Sequence, residues 1–149
     1  MKTDRSFLAP DKVFERLRSL CTARRVEGST VIFLQGDAPR EVLLVLRGDI
    51  ALTPDATQPS LCRVAGPGSI LGLPANLSSK PYSLTAVTVE ACEIASVSRK
   101  RFIEALRADP ELTLGIAQIL AGEISEMQNL GVQFRLARMD ELSHQSAQL

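Results

Sequence analysis

The chain has 149 residues, of which 45% are hydrophobic, and its 17 basic residues are matched by 17 acidic ones. That length supports a single domain with a core of ordinary size. Balanced charge speaks against general nucleic-acid binding, and aromatics at 4% with no tryptophan leave little to stack on bases or sugars.

The N-terminal MKTDRSFLAP is charged and holds no long apolar run, so it does not read as a signal peptide. Residues 10–21 are expected to form a short amphipathic helix, with Val13, Phe14, Leu17 and Leu20 at helical spacing on one face. From residue 22 to 98 the texture changes. Short β-branched runs alternate with turn signals: TVIFLQ, EVLLVLRG, DIALTP, SLCRVAG, SILG, YSLTAVTVE and CEIASVS. The punctuation is Gly28, Gly36-Asp37, Gly48-Asp49, Pro54-Asp55 and Gly66-Pro67-Gly68. Short strands at this spacing indicate an antiparallel sandwich or barrel. The longest apolar run, VLLVL at 42–46, is far too short to span a bilayer.

After Ser98 the period becomes helical again. Ser98 is the expected N-cap of RKRFIEALRA. Asp109-Pro110 opens a second helix, with aspartate as N-cap and proline at the first helical position, and this helix is expected to run to about residue 140. Leu112, Ile116 and Ile119 make one apolar stripe. Leu120, Ile124, Met127, Gly131 and Phe134 make another, in 4-3 steps, and read either as a dimer seam or as a helix lying back on its own domain. The tail SHQSAQL carries the single histidine, His144, and reads as frayed.

The order short helix, β-roll, short helix, long helix resembles the cyclic-nucleotide-binding domain of the Crp/Fnr regulators. Gly36 and Gly48 bracket DAPREVLLVLR as the family's paired turn glycines do. GPGSILGLPANL is similar to the turn, strand and short helix that open the family's phosphate cassette, here residues 66–86. YSLTAVTVEACEIASVSRKRFIEAL and ADPELTLGIAQILAGEIS are similar to the strands, helix and dimerisation helix that follow. The resemblance covers residues 10–138. It implies a mainly β fold with flanking helices: a β jelly roll, a short N-terminal helix, and C-terminal helices over 99–140 that pair two protomers.

The resemblance also implies how a ligand would be held. Backbone N–H groups at the start of the short helix meet the phosphate, an arginine neutralises it, and a glutamate after the cassette glycine takes the ribose 2′-hydroxyl. Here the glycine is Gly72, and the glutamate and arginine positions are Leu73 and Tyr82. Pro74, next to Ala75, lacks an N–H and removes one donor. Lys80 reads either as a solvated loop lysine or as a flexible point charge for an anion. Ser78, Ser79 and Ser83 can bond phosphate oxygens or face water. Arg63 points into the roll or out of it, depending on strand register. Tyr82 either lines a pocket or fills it. Gln128, beside Met127, stands where the family contacts the purine.

Other chemistries find little support. One tail histidine excludes a cupin metal site and a histidine-activated nucleophile. Cys21, Cys62 and Cys92 are scattered, contain no CxxC pair and read as buried thiols in a reducing cytoplasm. No cofactor is expected; a cyclic nucleotide is the ligand that the resemblance implies. Arg99-Lys100-Arg101 opens a helix with positive charge, as a solvated turn or as a docking patch. Full-length Crp/Fnr regulators add a helix-turn-helix domain, for which 149 residues leave no room. The expectation is therefore a regulatory or sensor module without direct nucleic-acid or membrane binding, homodimeric, with altered ligand specificity. Its rival is a ligand-free interaction protein that pairs with a full-length regulator.

Overall fold

The computed structural model of the chain describes residues 7–54 and 62–121. The chain divides into two compact units at Gly115–Ile116. The roll and its covering helices belong to the first; of the second, residues 116–121 are described, as helix. The expected continuation of that helix beyond 121, with Ile124, Met127, Gln128, Gly131 and Phe134, lies outside the described residues.

Helix α1 (Asp11–Arg18) buries Val13 and Leu17. It is shorter than the expected 10–21 because its end tightens: the N–H groups of Leu20 and Cys21 bond to the carbonyls of Leu17 and Arg18, three residues back. The β-roll then comprises β1 (Thr22–Val26), β2 (Val31–Phe33), β3 (Glu41–Arg47), β4 (Ile50–Thr53), β5 (Arg63–Ala65), β6 (Ile70–Leu71), β7 (Thr85–Thr88) and β8 (Cys92–Ser98), with α2 (Leu73–Ser78) between β6 and β7. Helix α3 (Arg99–Ala108) follows without a break, and α4 spans 110–121 of the described residues.

The strands form two four-stranded antiparallel sheets, ordered β1-β8-β3-β6 and β2-β7-β4-β5. This is the expected jelly roll. Strand β3 explains the run VLLVL: it is paired on both edges and buried on both faces. Leu43 and Val45 face the interior with Ile50, Leu52, Leu71, Ala86 and Ile94. Val42 and Leu44, on the opposite face by the period of two, are also fully buried, and α3 packs on β3 and β8.

Both caps read from the sequence are present. The Ser98 side chain accepts the Arg101 N–H at 3.2 Å, and Asp109 Oδ1 accepts the Leu112 N–H at 3.1 Å. Asp109 serves a second purpose, since Arg16 of α1 donates to its Oδ2 at 2.6 Å and also pairs with Glu111. Next to this clamp α1 sits close against α4. A Cβ on Gly115 would come within 2.5 Å of Val13 Cγ2, so only a glycine allows the approach.

Candidate ligand site

The cassette turn is built on glycine for two reasons. Gly72 has φ +86°, a left-handed conformation, and an added Cβ would lie 3.1 Å from Tyr82 Cε1 and 3.3 Å from the Glu41 carbonyl. From that turn α2 runs to Ser78, where the Ser78 hydroxyl bonds back to the Pro74 carbonyl at 2.7 Å. The chain returns through an exposed Lys80-Pro81 and enters the core at Tyr82.

Tyr82 is 4% exposed and belongs to the interior cluster of the roll. Its ring stacks on Phe33 of β2, centroids 4.1 Å apart and 17° from parallel. Its hydroxyl donates to the Glu41 carbonyl at 2.8 Å and accepts the N–H groups of Arg40 and Glu41, each at 3.2 Å. The backbone is held as well: the Tyr82 N–H bonds to the Asp37 carbonyl, and its carbonyl accepts the Gly36 N–H. A tyrosine with every polar atom partnered and its ring stacked is a fixed part of the interior.

Asn76 completes the site and was not singled out in the sequence, because a polar residue on a short helix carries no pattern that announces burial. It is fully buried. Its Nδ2 donates to the carbonyls of Glu41 and Gly72 at 2.9 and 2.7 Å, and its backbone carbonyl accepts Arg99 Nε at 2.9 Å. Among the described residues Asn76 Oδ1 has no partner. Arg99, the first of the three cations opening α3, is thus a bridge from α3 to the cassette helix rather than a solvated turn residue.

The structure brings Gly72, Ala75 and Tyr82 together with Phe33, Glu41 and Asn76, while Leu73 lies outside the interior cluster of the roll. Leu73 and Ala75 are buried. Pro74, Lys80 and Ser83 are exposed and are not part of this constellation. Arg63 faces outward, with its guanidinium 4.6 Å from the centre of the Phe7 ring. Leu120 stands half-buried on α4.

Among the described residues the buried polar side chains are Ser69, Asn76 and Thr88, all uncharged. Among the described residues the interior can exchange hydrogen bonds but holds no buried cation. Burial pushes the Cys21 thiol up to about 11 and raises Cys92 as well, so both are held as neutral thiols. Among the described residues no cluster of histidine, cysteine or carboxylate could hold a metal ion, and no helix is long and apolar enough to cross a membrane.

A cassette glycine, short helix and return strand between two antiparallel sheets can be compared with known proteins. The family model of the cyclic nucleotide-binding domain matches residues 23–109, more than half of the chain. The chain belongs to the cyclic nucleotide-binding domain family. A curated relative is patatin-like phospholipase domain-containing protein 7 of Rattus norvegicus, 26% identical over 103 residues, which are 67% of this chain and 8% of that protein. The chain therefore spans under a tenth of that relative's length. Among solved structures it is similar to the catabolite activator protein of Thermus thermophilus, with TM-score 0.70 and 24% identity, over 84% of this chain and 59% of that one. It is also similar to the N-terminal domain of a transcriptional regulator from Streptomyces coelicolor A3(2), with TM-score 0.64 and 16% identity, over 80% of this chain and 87% of that one. These structural likenesses are likenesses of fold.

Proposed function

We propose that this cyclic nucleotide-binding domain is a regulatory module with altered ligand specificity, in which tight binding of a cyclic nucleotide has been given up. The observation that carries the reading is the burial of Tyr82, stacked on Phe33 and bonded to Glu41. The resemblance assigns an arginine to that position and a glutamate to the position of Leu73, which is 2% exposed. A buried leucine offers a ribose hydroxyl nothing, and a phenol with its hydrogen bonds already committed carries no charge for a phosphate. Losing one partner of a buried charge pair costs about 2–5 kcal/mol, on the order of 30- to several-thousand-fold in affinity.

In this reading the protein is cytoplasmic, not an enzyme, and acts through contacts with other chains. The first such contact is with a second copy of itself, as a homodimer through the helix expected over 110–138. Isothermal calorimetry with cyclic AMP and cyclic GMP tests the ligand claim. No saturable heat at millimolar nucleotide is expected, and a micromolar dissociation constant overturns the reading. Sedimentation equilibrium tests the dimer separately, because a chain that stays monomeric at high micromolar concentration removes it.

A further inference from the structure

The first turn of α3 holds Arg99, Lys100 and Arg101, where the positive end of the helix dipole disfavours cations. Arg99 is committed to the Asn76 carbonyl. Lys100 and Arg101 are exposed, and among the described residues neither forms an ion pair. The strand register brings more cations to the same end of the first sheet. The start of β1 lies beside the end of β8, with Thr22 opposite Ser96, and the start of β3 lies beside it on the other side, with Glu41 opposite Ser98. Arg40 precedes β3, and its carbonyl accepts the Arg99 N–H at 2.9 Å. Arg18, at the end of α1, and Arg101 both lie within electrostatic reach of the Cys21 thiol. Arg24 of β1 is bound to Glu41 at 3.2 Å, and Glu104, one turn along α3 from Lys100 and Arg101, forms no ion pair with either among the described residues.

Cations from four elements therefore converge in a chain with no net charge, at a place where the helix dipole adds to their repulsion. We propose that this end of the roll is a docking surface for an acidic, extended segment of a protein partner. Among the described residues the exposed large apolar side chains, Leu8, Val31, Leu34, Val89 and Leu114, all lie on other segments, so these four elements supply none to insert into a bilayer. A compact corner on a neutral protein also lacks the long basic stripe that follows a nucleic-acid backbone. A short acidic segment matches its size and sign. The proposal goes beyond the reading of the cassette and does not depend on whether any ligand enters the roll.

Fluorescence anisotropy with a dye-labelled oligoglutamate peptide tests it on the full chain. The double variant Lys100→Glu/Arg101→Glu changes exposed residues, and circular dichroism checks that it is folded. It is expected to bind the peptide at least about tenfold more weakly, and added salt is expected to weaken binding to the parent. Arg47→Glu, at the far end of β3 and about 20 Å away, is expected to bind like the parent. The proposal is overturned if the parent does not bind the peptide, if the double variant binds equally well, or if Arg47→Glu loses as much affinity. It is also overturned if an oligonucleotide of equal charge, or vesicles containing phosphatidylserine, bind more tightly than the peptide.

Discussion

The ring of Tyr82, in the segment that leads from α2 into β7, is stacked on the ring of Phe33 of β2, a strand of the same sheet as β7. The hydroxyl then ties that pair to the first residue of β3 in the other sheet. One side chain thus stitches the two sheets together across the place where the family's ligand is expected.

Removing the hydroxyl and removing the ring are expected to have different effects. Tyr82→Phe leaves the stack but strands the N–H groups of Arg40 and Glu41, which should cost about 1–3 kcal/mol. Tyr82→Ala also opens a cavity and should cost about 3–5 kcal/mol. Equilibrium urea unfolding measures both, and an alanine variant no less stable than the phenylalanine variant would show that the ring contributes no packing.

The approach of α1 to α4 depends on the missing side chain at Gly115. Gly115→Ala should cost about 1–3 kcal/mol through overpacking against Val13. Adding Val13→Ala to it should cost less than the sum of the two single changes, by about 1 kcal/mol or more, because the truncated side chain makes room for the methyl. Strict additivity in a double-mutant cycle would contradict the contact.

Asp109 titrates below its ordinary 3.8, chiefly because the Leu112 N–H bonds its carboxylate and then because Arg16 lies against it. The folded state therefore favours the anion more than the unfolded chain does. The resulting stability is complete above the unfolded carboxylate range and is lost as pH falls through the lower folded value. Asp109→Asn should be less stable than the parent at neutral pH, and the gap should narrow below about pH 4. A gap that stays constant from pH 7 into that range, measured by chemical denaturation, would show that the ionised carboxylate adds nothing.

Cys21 should be a slow thiol. Its value of about 11, against an ordinary 9.0, leaves about a hundredfold less thiolate at pH 8 than an unshifted cysteine. Alkylation followed by peptide mass spectrometry should show Cys21 modified slowly, with a rate still rising above pH 10. A rate that levels off near pH 9 would mean that burial does not hold the proton.

Much of this architecture was legible in the chain itself, for reasons that differ by element. Strand β3 is a continuous apolar run because both its faces are covered, and Ser98 and Asp109-Pro110 are local signals whose partners lie within three residues. Strand β1 left no such trace. Its residues Thr22 to Arg25 are exposed, and as an edge strand it pairs with β8 alone, so TARRV shows no buried alternation. In the cassette, Gly72, Leu73 and Tyr82 were legible as positions, and their roles were not. The stack on Phe33, the bonds to Glu41 and the bridge from Arg99 to Asn76 all join residues distant in sequence, and only the folded chain puts them together. The clamp of Arg16 on Asp109 and Glu111 was hidden for the same reason.

The central claim is that Tyr82 occupies the interior in place of a cyclic nucleotide, and the chain provides its own probe. Tyr82 is the single tyrosine and there is no tryptophan, so intrinsic fluorescence reports on this residue alone. Acrylamide quenching of that emission, with and without millimolar cyclic AMP, tests the claim most directly. The account predicts weak quenching, characteristic of a buried ring, that is unchanged by the nucleotide. Quenching as strong as that of free tyrosine, or a saturable rise as cyclic AMP is added, would contradict it.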